Sequence, residues 1–437
     1  MTKDMTTGSP LRIILLFSIP VLLGNLFQQF YNMVDTIIVG RYLGEEALAA
    51  VGSTGCLMFL VLGFANGIAQ GFGVMVSHAF GAKDFKLLRH YVALSLILTL
   101  IISLLLTIPT VTASRLLLAW MHTPENIIAM ADAYIKVIFA GILLTMAYNV
   151  LSGILRGIGD SRTPLYFLIL SSVLNIILDV VLIVYTGLGT AGAAYATIIA
   201  QGVSAVLCFF YMYRKYDILR TRHEDYYLDS AGVKNMLAIG VPMALNYSIT
   251  AIGTMIMQSA VNVFGSSVVA AFTAASKVSN IATQSMPTLG TAMATYCGQN
   301  LGAGKYDRIY AGMRQGLFLC FGAAATAAAI CIFGGRFIVS WFVSNPSEEI
   351  FSSAMQYLTI ASWFFLPLAM IFLYRNALQG LDQGLIPMLS GVVELACRFG
   401  VIALIPASTG FFGVCFADPA AWAGAGIPLF ITYLLWE

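Results

Sequence analysis

Long apolar stretches, separated by short polar connections, run through the whole chain. A helix that crosses a membrane needs roughly 20 apolar residues, because each residue rises about 1.5 Å and the hydrocarbon core is about 30 Å thick. The stretches that reach this length fall near residues 11–40, 48–77, 91–113, 127–154, 163–185, 189–213, 233–262, 268–296, 310–333, 350–378, 384–405 and 420–436. The pattern therefore predicts an all-α integral membrane protein with twelve transmembrane helices.

The composition agrees with a membrane protein and argues against several other classes. Of 437 residues, 59% are hydrophobic and only 10% are charged, whereas soluble domains carry roughly 25% charged residues. The seven cysteines show no metal-type spacing, and the basic residues form no continuous face that would bind nucleic acid. We therefore expect no cofactor, no disulfide and no nucleic-acid partner, and we expect a monomer.

Basic residues are concentrated in alternate loops. By the positive-inside rule these loops are cytoplasmic, which predicts a multi-pass membrane protein with both termini in the cytoplasm. The basic residues of this set of loops are Lys83, Lys86, Arg89, Arg156, Arg162, Arg214, Lys215, Arg220, Arg222, Lys305 and Arg308, and those of the opposite loops are Arg41, Arg115 and Arg336.

The two halves of the chain repeat each other about 222 residues apart. "SIPVLLGN" corresponds to "GVPMALNY", "HAFGAKDF" to "QNLGAGKY", and "LRGIGDSRTP" to "LQGLDQGLIP". The repeat predicts an N-lobe at residues 1–212, a cytoplasmic linker at 213–234 and a C-lobe at 235–437. Because each lobe holds six helices, the lobes share one orientation and are related by a pseudo-twofold axis along the membrane normal, as in transporters with parallel repeats.

Several motifs resemble those of the multidrug and toxic compound extrusion (MATE) family, in its DinF-like bacterial branch. They are "VDTIIVG", "HAFGAKD", "QNLGAGK", "RGIGDSRTP", "NIILD" and "GAAYAT", and they are spread over essentially the whole chain. The resemblance implies a secondary active exporter of the bacterial inner (plasma) membrane. Such an exporter moves organic cations or other amphipathic compounds outward in exchange for external protons or sodium ions, by rocking between inward and outward openings.

The resemblance also places a cation-coupling site at Asp35, Asn175, Asp179 and Thr197. Counting along the helices puts Asp35, Asp179 and Thr197 roughly 8 to 12 Å below the outer surface, and Asn175 and Asp179 share a helix face because they are four residues apart. The alternative is that the two aspartates only end helices near the outer interface. Hard oxygen ligands suit a sodium ion at Asp35 and Asp179, and two neighbouring carboxyl groups equally suit a proton, so the ion stays open.

The acids have no duplicate in the second half. At the repeat offset Asp35 corresponds to Ile256 or Met257, and Asp179 to Ile402. The seventh helix also lacks the acid of the NorM-like branch, which weakens any prediction of a sodium site of that type.

The second half instead contains Lys277, Glu394 and Arg398 within its apolar stretches. Glu394 precedes Arg398 by four residues, the favoured order for an ion pair within one helix. The residues are candidates for substrate binding or signalling between lobes, with structural pairing as the alternative, and a pairing of Lys277 with Glu394 is left open.

Pro20 and Pro242 occupy equivalent places in the first and seventh helices. Each removes one backbone hydrogen bond and permits a kink. Either the bend is static, or protonation of Asp35 changes the bend at Pro20 during transport.

Other functional classes find less support. "GLGTAG", Gly187–Gly192, matches a dinucleotide-binding fingerprint but follows a membrane span and has no acid about 20 residues later. No Walker A, HExxH or GxSxG motif is present, so we expect no enzyme. The alternative function is a flippase for lipid-linked saccharides or another lipid-like substrate, for which a cationic cavity would be expected.

Overall fold

The computed structural model describes residues 4–342, 347–405 and 407–436, and within these ranges the chain is helical and contains no strand. The helices of the first half are α1 Pro10–Leu43, α2 Glu45–Gly81, α3 Phe85–Thr112, α4 Ser114–Trp120, α5 Glu125–Ala140, α6 Ile142–Gly157, α7 Arg162–Val180 and α8 Gly189–Lys215. Those of the second half are α9 Ser230–Asn262, α10 Ser266–Thr283, α11 Ser285–Gly302, α12 Tyr306–Ala329, α13 Gly335–Phe342, α14 Glu348–Trp363, α15 Phe365–Gly380, α16 Leu385–Leu404, α17 Gly410–Val414 and α18 Ala417–Trp436. The chain ends of the predicted lobes, residues 1 and 437, lie outside the described residues.

The helices combine into the twelve spans that the sequence predicts. In the described part of the chain, nine helical segments are long and apolar enough to cross a membrane, and two bent pairs raise the number to eleven. The remaining span is α10 with α11, which is rich in Ala, Ser and Thr. Its small and hydroxyl-bearing residues suit close packing between helices, which explains its lower apolar content.

Two predicted spans are bent rather than straight, which the apolar pattern did not predict. Helices α5 and α6 meet at 48° and helices α14 and α15 at 53°. At the first bend, a side chain in place of Gly141 would collide with Ile198 on α8. At the second, Pro367 stands in the first turn of α15, where its ring and missing N–H prevent α14 from continuing. By contrast, α1 and α9 run unbroken through Pro20 and Pro242.

Two compact units make up the chain. The first contains Met1–Thr6, Ile19–Ser248 and Gly298–Gly304, and the second contains Thr7–Ser18, Ile249–Cys297 and Lys305–Glu437. The lobe and linker boundaries at residues 212 and 235 stay predictions.

Glycines allow very close helix packing in the first unit. A Cβ on Gly71 of α2 would fall on the backbone of Gly240 in α9, and a Cβ on Gly73 would fall on that of Gly153 in α6. Backbones approach this closely only where side chains are absent. These contacts hold α2 between α6 and the first half of α9.

In the second unit, α16 and α18 form the most extensive helix pair, and α12 and α18 each pack on α15. Cys397 of α16 occupies the space beside Gly424 of α18. Small residues again set the distance between helices, and this places the polar side chains of α15, α16 and α18 close together.

Candidate functional site

The first unit brings two acids from separate helices together. Asp35 of α1 and Asp179 of α7 place their carboxyl groups close enough to interact electrostatically, and Asp179 is fully buried. Oδ1 of Asp35 and both carboxyl oxygens of Asp179 have no hydrogen-bond partner in the described part of the chain. Since two bare negative charges repel each other in an apolar environment, the pair is suited to hold a proton or a cation.

The other two predicted site residues lie beside Asp179. Asn175 is one turn earlier on α7, and its side-chain amide donates a hydrogen bond to the Thr197 hydroxyl on α8 at 3.4 Å. The Thr197 hydroxyl donates to the carbonyl of Ala193 at 3.1 Å. Asn175 is 2% exposed, and its Oδ1 has no partner among the described residues. A buried amide oxygen without a donor is an acceptor that a cation could use.

We looked for a metal site made of several His, Cys, Asp or Glu side chains. Within residues 4–342, 347–405 and 407–436 no group of three or more His, Cys, Asp or Glu residues could hold a metal ion. A sodium ion at Asp35 and Asp179 would therefore draw its further ligands from amide and hydroxyl oxygens. The unpartnered Asn175 Oδ1 fits that donor set.

Two tyrosines next to the acids were not predicted from the sequence. Tyr31 of α1 and Tyr134 of α5 both interact electrostatically with Asp35 and Asp179. Tyr31 stands four residues before Asp35, so helical spacing could have identified it. Tyr134 lies on a different helix and is 4% exposed, and nothing in its local sequence indicates this contact.

A cavity of about 410 Å³ opens beside the acids within the first unit. Tyr31, which interacts electrostatically with both acids, and Thr197, which accepts a hydrogen bond from Asn175, also line this cavity, and so does Pro20. Its walls mix amide groups with apolar and aromatic side chains, among them Asn25, Asn66, Asn149, Met58, Phe59 and Leu62. Mixed walls of this kind are typical of small-molecule sites. Tyr31 and Thr197 therefore link the acid pair to a cavity in which a small molecule could bind.

The second unit contains the predicted ion pair within a larger network. Glu394 and Arg398 of α16 approach to 3.3 Å, as their spacing predicts. Two partners were missed: Arg375 of α15 lies 3.0 Å from Glu394, and Asp418 of α18 lies 2.9 Å from Arg398. The Tyr357 hydroxyl donates to Asp418 at 2.9 Å. Each acid therefore has an arginine partner, and the network is neutral.

Lys277, the third candidate of the second half, lies on α10 with an exposed side chain. Glu394 forms ion pairs with Arg375 and Arg398, and a pairing of Glu394 with Lys277 stays a prediction. The space for Arg398 comes partly from α9, because a Cβ on Gly253 would collide with its guanidinium.

A family model, MatE, matches residues 20–181 and 242–404 of this chain. A probable multidrug resistance protein of Bacillus subtilis (strain 168), YpnP, is 29% identical over 94% of this chain and 92% of its own length. A second from the same organism, YoeA, is 30% identical over 84% of this chain and 80% of its own length. A protein of Shewanella oneidensis named FAD transporter is 25% identical over 92% of this chain and 88% of its own length.

Solved structures share the fold. A crystal structure of MATE in complex with MaL6 superposes with a TM-score of 0.92 at 24% identity, covering 100% of this chain and 98% of that one. An outward-facing multidrug resistance MATE family transporter gives 0.91 at 24% identity, covering 99% and 97%. Because the family model matches well over half of the chain, this chain belongs to the multidrug and toxic compound extrusion (MATE) family of membrane transporters.

Proposed function

We propose that this protein is a secondary active multidrug exporter that exchanges cytoplasmic amphipathic compounds for external protons or sodium ions. Relatives that match nearly the full chain are named as multidrug resistance or export proteins. Neither a cofactor nor catalysis is part of this proposal: the protein acts as a monomeric, multi-pass transporter of the bacterial membrane with both termini in the cytoplasm.

The observation that carries the proposal is the uncompensated acid pair next to the cavity. Asp35 and Asp179 contact each other, and no basic side chain in the described part of the chain pairs with either. Buried charges are retained in membrane helices where they serve ion or substrate pathways. A cation or proton that enters from outside neutralises the pair, and Tyr31 and Thr197 connect the pair to the cavity wall.

Coupling then follows from differential binding. Neutralising Asp35 and Asp179 changes the contacts of α1 with α7, and α1 also presents Pro20 to the cavity. If the ion binds the outward-open state more tightly and the substrate binds the inward-open state more tightly, each ligand shifts the population of the two states. The lobes at 1–212 and 235–437, joined by the linker at 213–234, are the moving parts. Glu394 and Arg398 stabilise the second lobe through their ion pair, and Lys277 is a candidate for substrate binding or for signalling between the lobes.

The test is dye export into inverted vesicles under an imposed proton gradient and, separately, a sodium gradient. One gradient should drive export in the wild type, and Asp35→Asn should abolish that dependence. The matched control is Asp132→Asn. Asp132 is also an acid within a helical span, but it is paired with Lys136 at 2.7 Å and accepts from Ser114 at 2.6 Å. Export that is equal in the wild type and Asp35→Asn would refute the coupling role, and no export of any dye under either gradient would refute the exporter.

A further inference from the structure

Arg156 occupies an unexpected place at the end of α6. The loop pattern assigned it to the cytoplasmic positive charges, but the structure places it among the residues that line the cavity of the first unit, and its side chain is partly buried. It is the one residue of that lining that carries a formal charge, and no carboxylate belongs to the lining.

The guanidinium of Arg156 has no acidic partner among the residues that the structure describes. No ion pair joins it to a carboxylate in the described ranges, and its electrostatic neighbours are the neutral Tyr148 and Tyr247. The buried arginines of the second unit differ, because Arg375 and Arg398 each contact a carboxylate within 3.3 Å. Burial of an unpaired cation is costly, so the position of Arg156 favours an anion supplied from outside the chain.

The same cavity has a second polar group without a partner. Gln201 of α8 is 7% exposed, lines the cavity, and has an amide oxygen with no hydrogen-bond partner among the described residues. Ser152, one turn before Arg156 on α6, is 3% exposed and also lines the cavity, where it lies next to the Tyr148 hydroxyl. Buried polar groups are normally satisfied, so the amide oxygen of Gln201 is available to a ligand.

The remaining wall suits an aromatic or aliphatic body. Phe59 and Tyr247 meet edge to face, with ring centroids 6.5 Å apart, and the Tyr247 hydroxyl is fixed by Gln70 at 2.5 Å. Met58 and Leu62 extend this apolar surface along α2. A pocket with aromatic and apolar walls and one charged side chain suits an amphipathic molecule that carries a group of the opposite charge at one end.

We propose that the cavity selects amphipathic compounds that carry an anionic group, a carboxylate or a phosphate, and that Arg156 binds this group. The proposal rests on the proposed function and narrows its substrate class, since organic cations find no carboxylate in the lining. Arginine is suited to the role because its guanidinium donates two parallel hydrogen bonds to such a group.

The experiment compares two dyes on one xanthene scaffold, the anionic fluorescein and a cationic rhodamine ester, by fluorescence anisotropy with purified protein. The wild type should bind fluorescein at least about tenfold more tightly, as expected for charge-assisted hydrogen bonds. Arg156→Gln should weaken fluorescein binding by about 10- to 100-fold and leave the rhodamine ester unaffected or bound more tightly. Arg156→Lys should fall between the two.

The matched control is Arg162→Gln. Arg162 is the first residue of α7, is exposed, and does not line the cavity, so this substitution should leave both dyes bound as in the wild type. If the wild type prefers the rhodamine ester, or if Arg156→Gln binds fluorescein as the wild type does, the proposal is overturned. The wild-type comparison decides the matter even if Arg156→Gln fails to fold.

Vesicle transport separates this proposal from the exporter assignment. Gradient-driven export of the rhodamine ester without fluorescein binding would overturn the anion preference and leave the exporter standing. Fluorescein binding that depends on Arg156, without export of either dye under any gradient, would support the site and overturn the exporter.

Discussion

Two groups of buried acids in this protein are neutralised in different ways. In the first unit, Asp35 and Asp179 face each other without a basic partner in the described part of the chain. In the second unit, Glu394 and Asp418 are held by Arg375 and Arg398 at 2.9 to 3.3 Å. The second group carries its counter-charges in its own side chains, whereas the first depends on a proton or an ion from solution.

The difference shows that equivalent helices of a repeated fold can serve different roles, one in ion binding and the other in stabilising the fold. Helices α7 and α16 correspond in the repeat, yet α7 contributes an acid to an incomplete site and α16 contributes both charges of an internal pair. A closed, neutral network stabilises one arrangement of helices, since removing any one member leaves the remaining network with a net charge in a poorly solvated place. An open pair of acids responds to the composition of the solution, which is what coupling to a gradient requires.

The largest effect should come from opening the closed network. Arg398→Leu leaves Glu394 with one partner and Asp418 with only Tyr357, so we expect a loss of about 3–5 kcal/mol in the free energy of unfolding. Thermal unfolding of the purified protein, followed by circular dichroism, measures this loss. The control is Arg336→Leu, because Arg336 pairs with Glu348 at the exposed surface and such pairs contribute roughly 0–1 kcal/mol. Equal losses in the two variants would contradict a special role for burial.

Removing an acid from the open pair should affect transport rather than stability. In Asp179→Asn the like-charge contact with Asp35 disappears, so the unfolding temperature should stay the same or rise. Gradient-driven dye export should fall by roughly 5- to 150-fold, which is the fold-change in affinity that typical coupling free energies produce. Vesicle assays and thermal unfolding of the same preparation test both statements. If Asp179→Asn unfolds at a lower temperature but transports normally, the acid pair stabilises the fold and does not couple transport, which would contradict this prediction.

Another acid of the first unit, Asp160, has hydrogen-bond and charge partners of its own, like the acids of the second unit. It lies between α6 and α7, where its carboxylate accepts hydrogen bonds from the Thr163 backbone at 3.1 Å, the Thr163 hydroxyl at 2.5 Å and the Tyr216 hydroxyl. Burial alone would raise the pKa of Asp160, but these hydrogen bonds and the charge of Lys215 outweigh it and hold the pKa below its usual value.

Asp160→Asn should therefore cost about 1 kcal/mol, like the loss of a helix cap. A lowered pKa means that the ionised form stabilises the fold above the ordinary carboxyl pKa of about 3.9, and that this contribution disappears as pH falls through the lowered value. Unfolding temperatures of the wild type and the variant should differ at neutral pH, begin to converge below about pH 4 and become equal below the lowered pKa. A difference that persists in acid would mean that packing, not charge, makes Asp160 stabilising.

The smallest effect should come from the partly exposed pair of Asp132 and Lys136, which are 2.7 Å apart. The lysine side chain is 46% exposed, so water screens the pair and we expect a change of roughly 0–1 kcal/mol in Asp132→Asn. Dye export by Asp132→Asn should equal that of the wild type. A transport defect as large as that of Asp179→Asn would remove the distinction between paired and unpaired acids.

The sequence by itself determined the class of the protein. Apolar length predicted the spans, the offset of about 222 residues predicted the repeat, and the four-residue spacing of Glu394 and Arg398 predicted their ion pair. These features depend on contacts within one helix or on the transfer of whole helices into lipid, and both follow from local order along the chain.

Only the tertiary structure decided which helices place their polar groups together. The contact of Asp35 with Asp179, the addition of Arg375 and Asp418 to the second network, and the position of Arg156 in the cavity join helices that are far apart in sequence. Periodicity predicts the face of a helix on which a residue lies, but the neighbour of that face depends on how helices rotate and how closely small residues let them approach. The charge balance of each site was therefore decided by packing between helices.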